Sequence, residues 1–218
     1  MEETRHMQSV EEAIRQRQSV RTYKRRPVPE EMIVQMLEAA RLAPSASNSQ
    51  PWRFVVVTDT EEKKQLREMC FGAQMIEDAG VVFVACSDLS SYSPQSYLKR
   101  RQEAVDAGVF PASTLKDPAF LAHINYQPDL AVFAPMAMAN TYIAVEHIVL
   151  IATALGLGSC WIGAIGDHDG IKRLLNIPSE MMLVALVTVG YVEGKPPRRP
   201  HLSMNQILLR PFPASTME

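Results

Sequence analysis

Apolar residues along this chain switch between two spacings. Ile33, Met36, Leu37 and Ala40 recur as one face of a helix, which predicts a helix that opens at Pro29 and closes before Pro44. Pro29 suits a first helical position, where its missing N–H loses no partner, and Glu30 and Glu31 in the first turn suit the dipole. Ser9 and Glu12 have the spacing of a capping box, so a short helix should run to about residue 17. Residues 80–87 (GVVFVACS) form instead a near-continuous apolar run, the pattern of a strand buried on both faces. Residues 52–58, 159–165 and 182–192 read as further strands, and 60–70 and 137–157 as helices. A short helix capped by Asp167 should end before Pro178. Strands and helices interleave, so the expected fold class is α/β, a mixed central sheet flanked by helices.

Two stretches break the pattern. Residues 88–129 hold Tyr92, Tyr97, Phe110, Phe120 and Tyr126 among prolines and basic residues, with weak periodicity. A connection that long in a compact domain is functional or disordered, and we expect a lid insertion. Its rings either stack on a planar substrate or fix the lid to its own domain, and Lys99, Arg100 and Arg101 either attract an anion or form a solvated face. In the segment 194–218 the prolines forbid a central strand or mid-helix placement, which predicts an extended tail over a surface, its own or a partner's. Neither a repeat nor a low-complexity segment is visible, so 1–218 reads as one domain.

Composition narrows the class. A chain of 218 residues buries about 70% of its unfolded surface without disulfide staples. With 47% apolar and 21% charged residues, disorder, collagen and coiled coil are excluded. A net charge of −2 gives no global attraction to nucleic acid or an acidic membrane. Cys70, Cys86 and Cys160 are too few and too scattered for a disulfide framework or a metal knuckle, which points to a reducing compartment. The start MEETRHMQSV has no secretory apolar core, and the apolar stretch 143–157 carries Glu146 and His147 and falls short of the ~20 residues of a span. A cytoplasmic protein without nucleic-acid or membrane partners is expected.

Four segments carry candidate chemistry. Arg17, Ser19 and Arg21 alternate, so in extended chain they face one way, and two guanidinium forks with a hydroxyl suit a phosphate. The bland reading is a basic last turn that complements the helix dipole. The run 44–52 (PSASNSQPW) offers donors and acceptors for a planar, polar, neutral ligand, or is simply a turn. In 156–164 (GLGSCWIGA) a dinucleotide fingerprint would need glycine where Trp161 stands, and the segment leaves a helix for a strand. Its glycines read better as letting backbone approach something flat. Lys195, Arg198 and Arg199 lie in the tail, where basic residues are ordinarily solvated. Asp167, His168 and Asp169 read as a cap with solvated neighbours rather than metal ligands. Glu146 and His147 splay apart on their helix. Cys86 and Cys160 sit in apolar strands as packing thiols. No Ser-His-Asp arrangement follows from spacing.

Taken together, the segments resemble the FMN-dependent nitroreductase family over nearly the whole chain. The resemblance rests on Arg17-x-Ser19-x-Arg21, on Ala43-Pro44-Ser45 through Asn48-x-Gln50-Pro51-Trp52-Arg53-Phe54, on 154–163 (ALGLGSCWIG), and on Gly190-Tyr191 with Lys195-Pro196 and the arginines after them. It implies an α+β nitroreductase-like fold and bound FMN. By that resemblance Arg17 and Ser19 hold the phosphate with Gln18 beside them, Arg199 and Arg198 return to it, and Arg21 lies by the phosphate-ribityl or pyrimidine side. Pro44, Ser45, Asn48 and Gln50 contact the flavin, partly from a second subunit, while Trp161, Ile162 and Gly163 set backbone against the isoalloxazine ring. Gln18 departs from a frequent second arginine, and Asn140 from a frequent aspartate.

The implied activity is an NAD(P)H-dependent FMN oxidoreductase, a homodimer with flavin sites at the interface, reducing a nitroaromatic, quinone or similar acceptor by ping-pong kinetics. The flavin carries the chemistry, so neither a catalytic side chain nor a metal is called for. Alternatives are a reductive dehalogenase, a flavin-fragmenting benzimidazole synthase, and a flavin-binding protein without turnover. Dehalogenase relatives carry a large lid before the second strand, where this chain is short.

Overall fold

Helix α1 (Val10–Gln16) opens with the capping box of Ser9 and Glu12: Glu12 N–H donates to Ser9 Oγ at 3.3 Å and Ser9 N–H to Glu12 Oε2 at 2.8 Å. The computed structural model of the protein describes residues 8–126 and 129–210. Helix α2 (Glu30–Arg41) starts just after Pro29 and buries Ile33, Met36 and Ala40, three of the four positions read from periodicity. Strand β1 (Trp52–Val57) leads into helix α3 (Thr60–Met69), whose first turn is capped by Asp59 at 2.9 Å from the amides of Glu61 and Glu62. Helix α4 (Gln74–Asp78) follows, too short at five residues to leave a periodic trace in sequence.

Strand β2 (Val81–Ser87) is buried along its whole length. Its alternate side chains divide between two cores: Val81, Phe83 and Ala85 face α2 and the long helix, while Val82, Val84 and Cys86 face the α3–α4 side. Two buried faces are what the near-continuous apolar run required. After β2 come helix α5 (Pro94–Asp106), helix α6 (Pro118–Asn125), helix α7 (Ala134–Ala154), strand β3 (Gly158–Ile162), helix α8 (His168–Leu174), strand β4 (Met182–Gly190) and helix α9 (Met204–Ile207). Asp167 caps α8 through the Gly170 amide at 2.7 Å, as expected.

The strand order is β1-β2-β4-β3, and every strand pair is antiparallel. The α/β class holds, but the parallel share of the expected mixed sheet is confined, among the described residues, to the bridge Ser19–Ser159. An apolar run reports burial on both faces, and strand direction leaves no mark on it.

Helix α7 begins three residues before the expected 137 and packs between α2, α1 and the sheet, burying Ala144, Val145, Ile148 and Val149. With its leading turn, Leu130–Ala154 is long and apolar enough to cross a membrane by length and composition, contrary to the reading of 143–157. In the fold this helix is the centre of one core. His147 is held by Nδ1 at 2.9 Å from the Ala39 carbonyl.

Candidate functional site

Residues 17–21 leave α1 in extended form because Val20 pairs with the sheet: its N–H donates to the Ser159 carbonyl at 2.8 Å, and its side chain is buried. The expected alternation follows, with Ser19 and Arg21 exposed on the outer side and Arg17 half-buried. The tail reaches this edge by a second pairing. Tyr23 bridges Val192, Lys24 N–H donates to the Tyr191 carbonyl at 2.9 Å, and Glu193 N–H to the Thr22 carbonyl at 3.1 Å. Gly194 then turns the chain at φ +72°, and residues 197–201 run back past Arg17–Arg21.

The result is a cleft of about 480 Å³ lined by Arg17, Gln18, Ser19, Arg21, Arg198 and Arg199. His201 and Arg15 also line it and were missed from sequence, since nothing in their spacing ties them to residue 17. No carboxylate among the described residues lines the cleft. Among the described residues none of the guanidiniums of Arg17, Arg21, Arg198 and Arg199 has an ion pair, whereas Arg15 is tied to Glu11 at 2.8 Å. Their joint field reaches Cys160: burial raises its thiol pKa, while Arg21, a hydrogen bond from Ser19, Arg199 and Arg17 pull it back. Glu146, raised by burial, is likewise pulled down by Arg17. Gln18 Oε1 is buried without a hydrogen-bond partner. Gln18 also borders a second cavity with Gln8 and Gln16, so the cleft's fit to a ligand with an anionic end rests on its four unpaired cations and the Ser19 hydroxyl.

The run 44–50 forms a second feature. Ser47, Asn48 and Gln50 all have positive φ (52°, 54° and 47°), a left-handed backbone rare outside glycine. Such strain persists only where neighbours hold it, and it clusters at ligand-binding loops. Three tethers hold it here. Gln50 N–H donates to Ser45 Oγ at 3.0 Å, and Arg53 donates to the Gln50 carbonyl at 3.0 Å while pairing with Asp88 at 2.9 Å. The third is the buried side chain of Asn140, whose Oδ1 accepts from Ala46 N–H at 3.3 Å and whose Nδ2 donates to Tyr92 Oη at 2.7 Å. The departure noted at Asn140 thus lies in a joint between loop 44–50, the long helix and the start of the 88–126 segment. Ser49 Oγ is buried without a partner.

Loop 44–50 does not line the arginine cleft of its own chain; Asn48 and Gln50 border other cavities, with α5 and α6. At the end of β3, Trp161 packs its ring 5.1 Å from that of Tyr142, Ile162 is buried, and a Cβ on Gly163 would meet nothing within 4 Å. Gly158 corrects one expectation: a Cβ there would stand 2.6 Å from Val20 and 2.7 Å from Val192, so this glycine serves packing of the 17–24 edge rather than a flat ligand. Residues 88–126 are largely helical, and Tyr92 is buried and stacked 5.1 Å from Phe133, so it fixes the segment to the domain and is not free to stack on a substrate. Residues 127–128 of the expected lid and 211–218 of the expected tail lie outside the described residues. Cys70 and Cys86 are buried thiols, pushed up to about 11 by desolvation. No cluster of three or more metal-ligating side chains occurs among the described residues.

A model of the nitroreductase family matches residues 14–191. The chain is 34% identical over 212 residues to a Thermus thermophilus protein named NADH dehydrogenase, covering 96% of this chain and 99% of that one. It is 29% identical over 208 residues to a Thermotoga neapolitana protein named iodotyrosine deiodinase, covering 94% and 98%. Its fold matches a crystal structure from Exiguobacterium sibiricum, described as a nitroreductase in complex with FMN, with a TM-score of 0.79 at 24% identity over 92% of this chain and 96% of that one.

Proposed function

The chain belongs to the nitroreductase family, and from that premise we propose that it is an FMN-dependent NAD(P)H oxidoreductase, cytoplasmic and homodimeric, that reduces a nitroaromatic, quinone or similar small acceptor. The observation that carries the reading is the cleft in which Arg17, Ser19, Arg21, Arg198 and Arg199 converge with no carboxylate among the described residues that line it. Guanidinium forks match phosphate oxygens bidentately, and a hydroxyl adds a neutral donor. Arg17, Ser19, Arg198 and Arg199 would hold the phosphate. Arg21 would lie by the ribityl or pyrimidine side, where a cation favours the negative charge that hydride uptake creates. Gln18 Oε1 would accept from a ribityl hydroxyl, satisfying an acceptor that is otherwise orphaned.

Pro44, Ser45, Asn48 and Gln50 would meet the ring system from the second subunit, and Trp161, Ile162 and Gly163 would present backbone to it. Loop 44–50 stands outside its own chain's cleft, which supports a site completed across a dimer. The chemistry supplied by FMN when bound is two-electron transfer, from NAD(P)H in one half-reaction and to the acceptor in the other, a ping-pong alternation. This chain's residues bind and orient; none is required as nucleophile.

The Thermotoga relative's name raises reductive dehalogenation as a second reading. Against it, the β1–β2 connection holds only α3 and α4, whose Leu66 and Ile76 are buried in the core, leaving no lid at that point. The test of the first reading is the purified protein's visible spectrum, followed by steady-state oxidation of NADH and NADPH with menadione or a nitroaromatic. Yellow protein that turns over is expected. Protein that takes up no flavin, or holds flavin that neither nicotinamide reduces, refutes it.

A further inference from the structure

Between α5, α6 and the turn at Ser47–Asn48 lies a cavity of about 600 Å³. Arg101, from α5, stands in its wall with the guanidinium carbon 4.4 Å from the ring centre of Phe110 and 4.8 Å from that of Phe120. Two ring faces compensate the charge but accept little hydrogen bonding, so the five N–H donors of a guanidinium still need acceptors. Among the described residues Arg101 has neither a hydrogen bond nor an ion pair to a protein group. Its neighbour differs: Arg100 is paired to Glu103 at 2.5 Å, which also neutralises the one carboxylate among the described residues of that wall.

A half-buried guanidinium held by two rings, with its donors unused, is a receptor for an anion. The planar fork matches a carboxylate or sulfonate bidentately, and the cation–π contacts hold it ready at little further entropic cost. Phe110, Phe120 and Val109 supply an apolar wall for a flat ring. Asn48 joins the same cavity to loop 44–50.

We infer that this cavity is the acceptor subsite and that Arg101 selects planar aromatic acceptors bearing a carboxylate or sulfonate. The inference rests on the reading of loop 44–50 as flavin-facing. For a nitro acceptor the step balances as NAD(P)H, one further proton and the nitro compound giving NAD(P)+, the nitroso compound and water. The carboxylate itself does not react.

The experiment compares kcat/KM for 4-nitrobenzoate and its neutral analogue 4-nitrobenzamide on the FMN-loaded protein. We expect the wild type to favour the anion by about tenfold or more, the scale of one lost charge-assisted pair. R101M should collapse that ratio, R101K should retain part of it, and K99M, which alters an exposed cation outside this cavity, should shift it less than about twofold. An R101M protein of normal flavin content with the wild-type ratio overturns the inference. So does a K99M effect equal to that of R101M, which would mean general surface charge. If the protein holds no flavin, the functional reading has failed independently, and calorimetric titration of 4-nitrobenzoate into wild type and R101M decides the subsite: binding lost in R101M supports it, and equal or absent binding overturns it.

Discussion

Replacing Asn140 by alanine should cut two hydrogen bonds with unequal consequences. Ala46 is exposed, so its freed N–H can turn to water, and the loss is the ordinary ~0.5–1.5 kcal/mol of a net hydrogen bond. Tyr92 is 2% exposed, and its hydroxyl, left buried without its 2.7 Å partner, carries a desolvation cost of about 1–3 kcal/mol. The variant should therefore lose about 2–4 kcal/mol, read as a fall in urea midpoint at constant m-value. The double variant Y92F/N140A supplies the internal check. Removing the stranded hydroxyl should recover about 1 kcal/mol or more of the single variant's loss, because replacing both partners by apolar groups is far cheaper than orphaning one. Asn140→Asp should be milder than the alanine variant, since the Tyr92 hydroxyl can rotate to donate to a carboxylate while Ala46 N–H still finds an oxygen. An N140A loss below about 0.5 kcal/mol, or a double variant less stable than N140A, would refute the joint as described.

Glu146 offers a pH test with a definite sign. Burial raises its folded pKa against the pull of Arg17, so its ionisation is disfavoured in the native state. Stability is then fully present below the usual glutamate range and is lost as pH rises through the raised value, so E146Q should be more stable than wild type near neutrality and equal to it in acid; an E146Q advantage that persists unchanged in acid contradicts this. Gly158→Ala, with a Cβ at 2.6 Å from Val20, should cost about 1–3 kcal/mol and lower the melting temperature by several degrees, and flavin affinity should fall with it because Val20 seats the 17–21 edge. A G158A protein with wild-type melting and affinity would show that this contact relaxes freely.

What was legible in sequence was whatever local periodicity and short-range chemistry control. Continuous burial in β2, the caps at Ser9 and Asp167, and the alternation of Arg17, Ser19 and Arg21 each depend on residues within four positions of one another. Arg198 and Arg199 meet Arg17 only because residues 191–193 pair with 22–24, a contact that no local spacing encodes; the family resemblance pointed there. The role of Asn140 was hidden for the same reason, since its partners Ala46 and Tyr92 are 94 and 48 positions away. Residues 88–126 read as weakly periodic because α5 buries no residue deeply, so a helix forms there without an apolar stripe to announce it.

In the proposed function the arginine cleft holds the phosphate of a flavin. Titrating the flavin-free protein with FMN and with riboflavin, which differ only in that phosphate, tests it most directly through quenching of flavin fluorescence. FMN should bind about 100-fold tighter or more, the scale of two charge-assisted contacts, and the double replacement of Arg17 and Arg199 by alanine should shrink the difference to a few-fold. Equal affinity for the two flavins, or stoichiometric FMN at unchanged affinity in the double variant, would contradict the account.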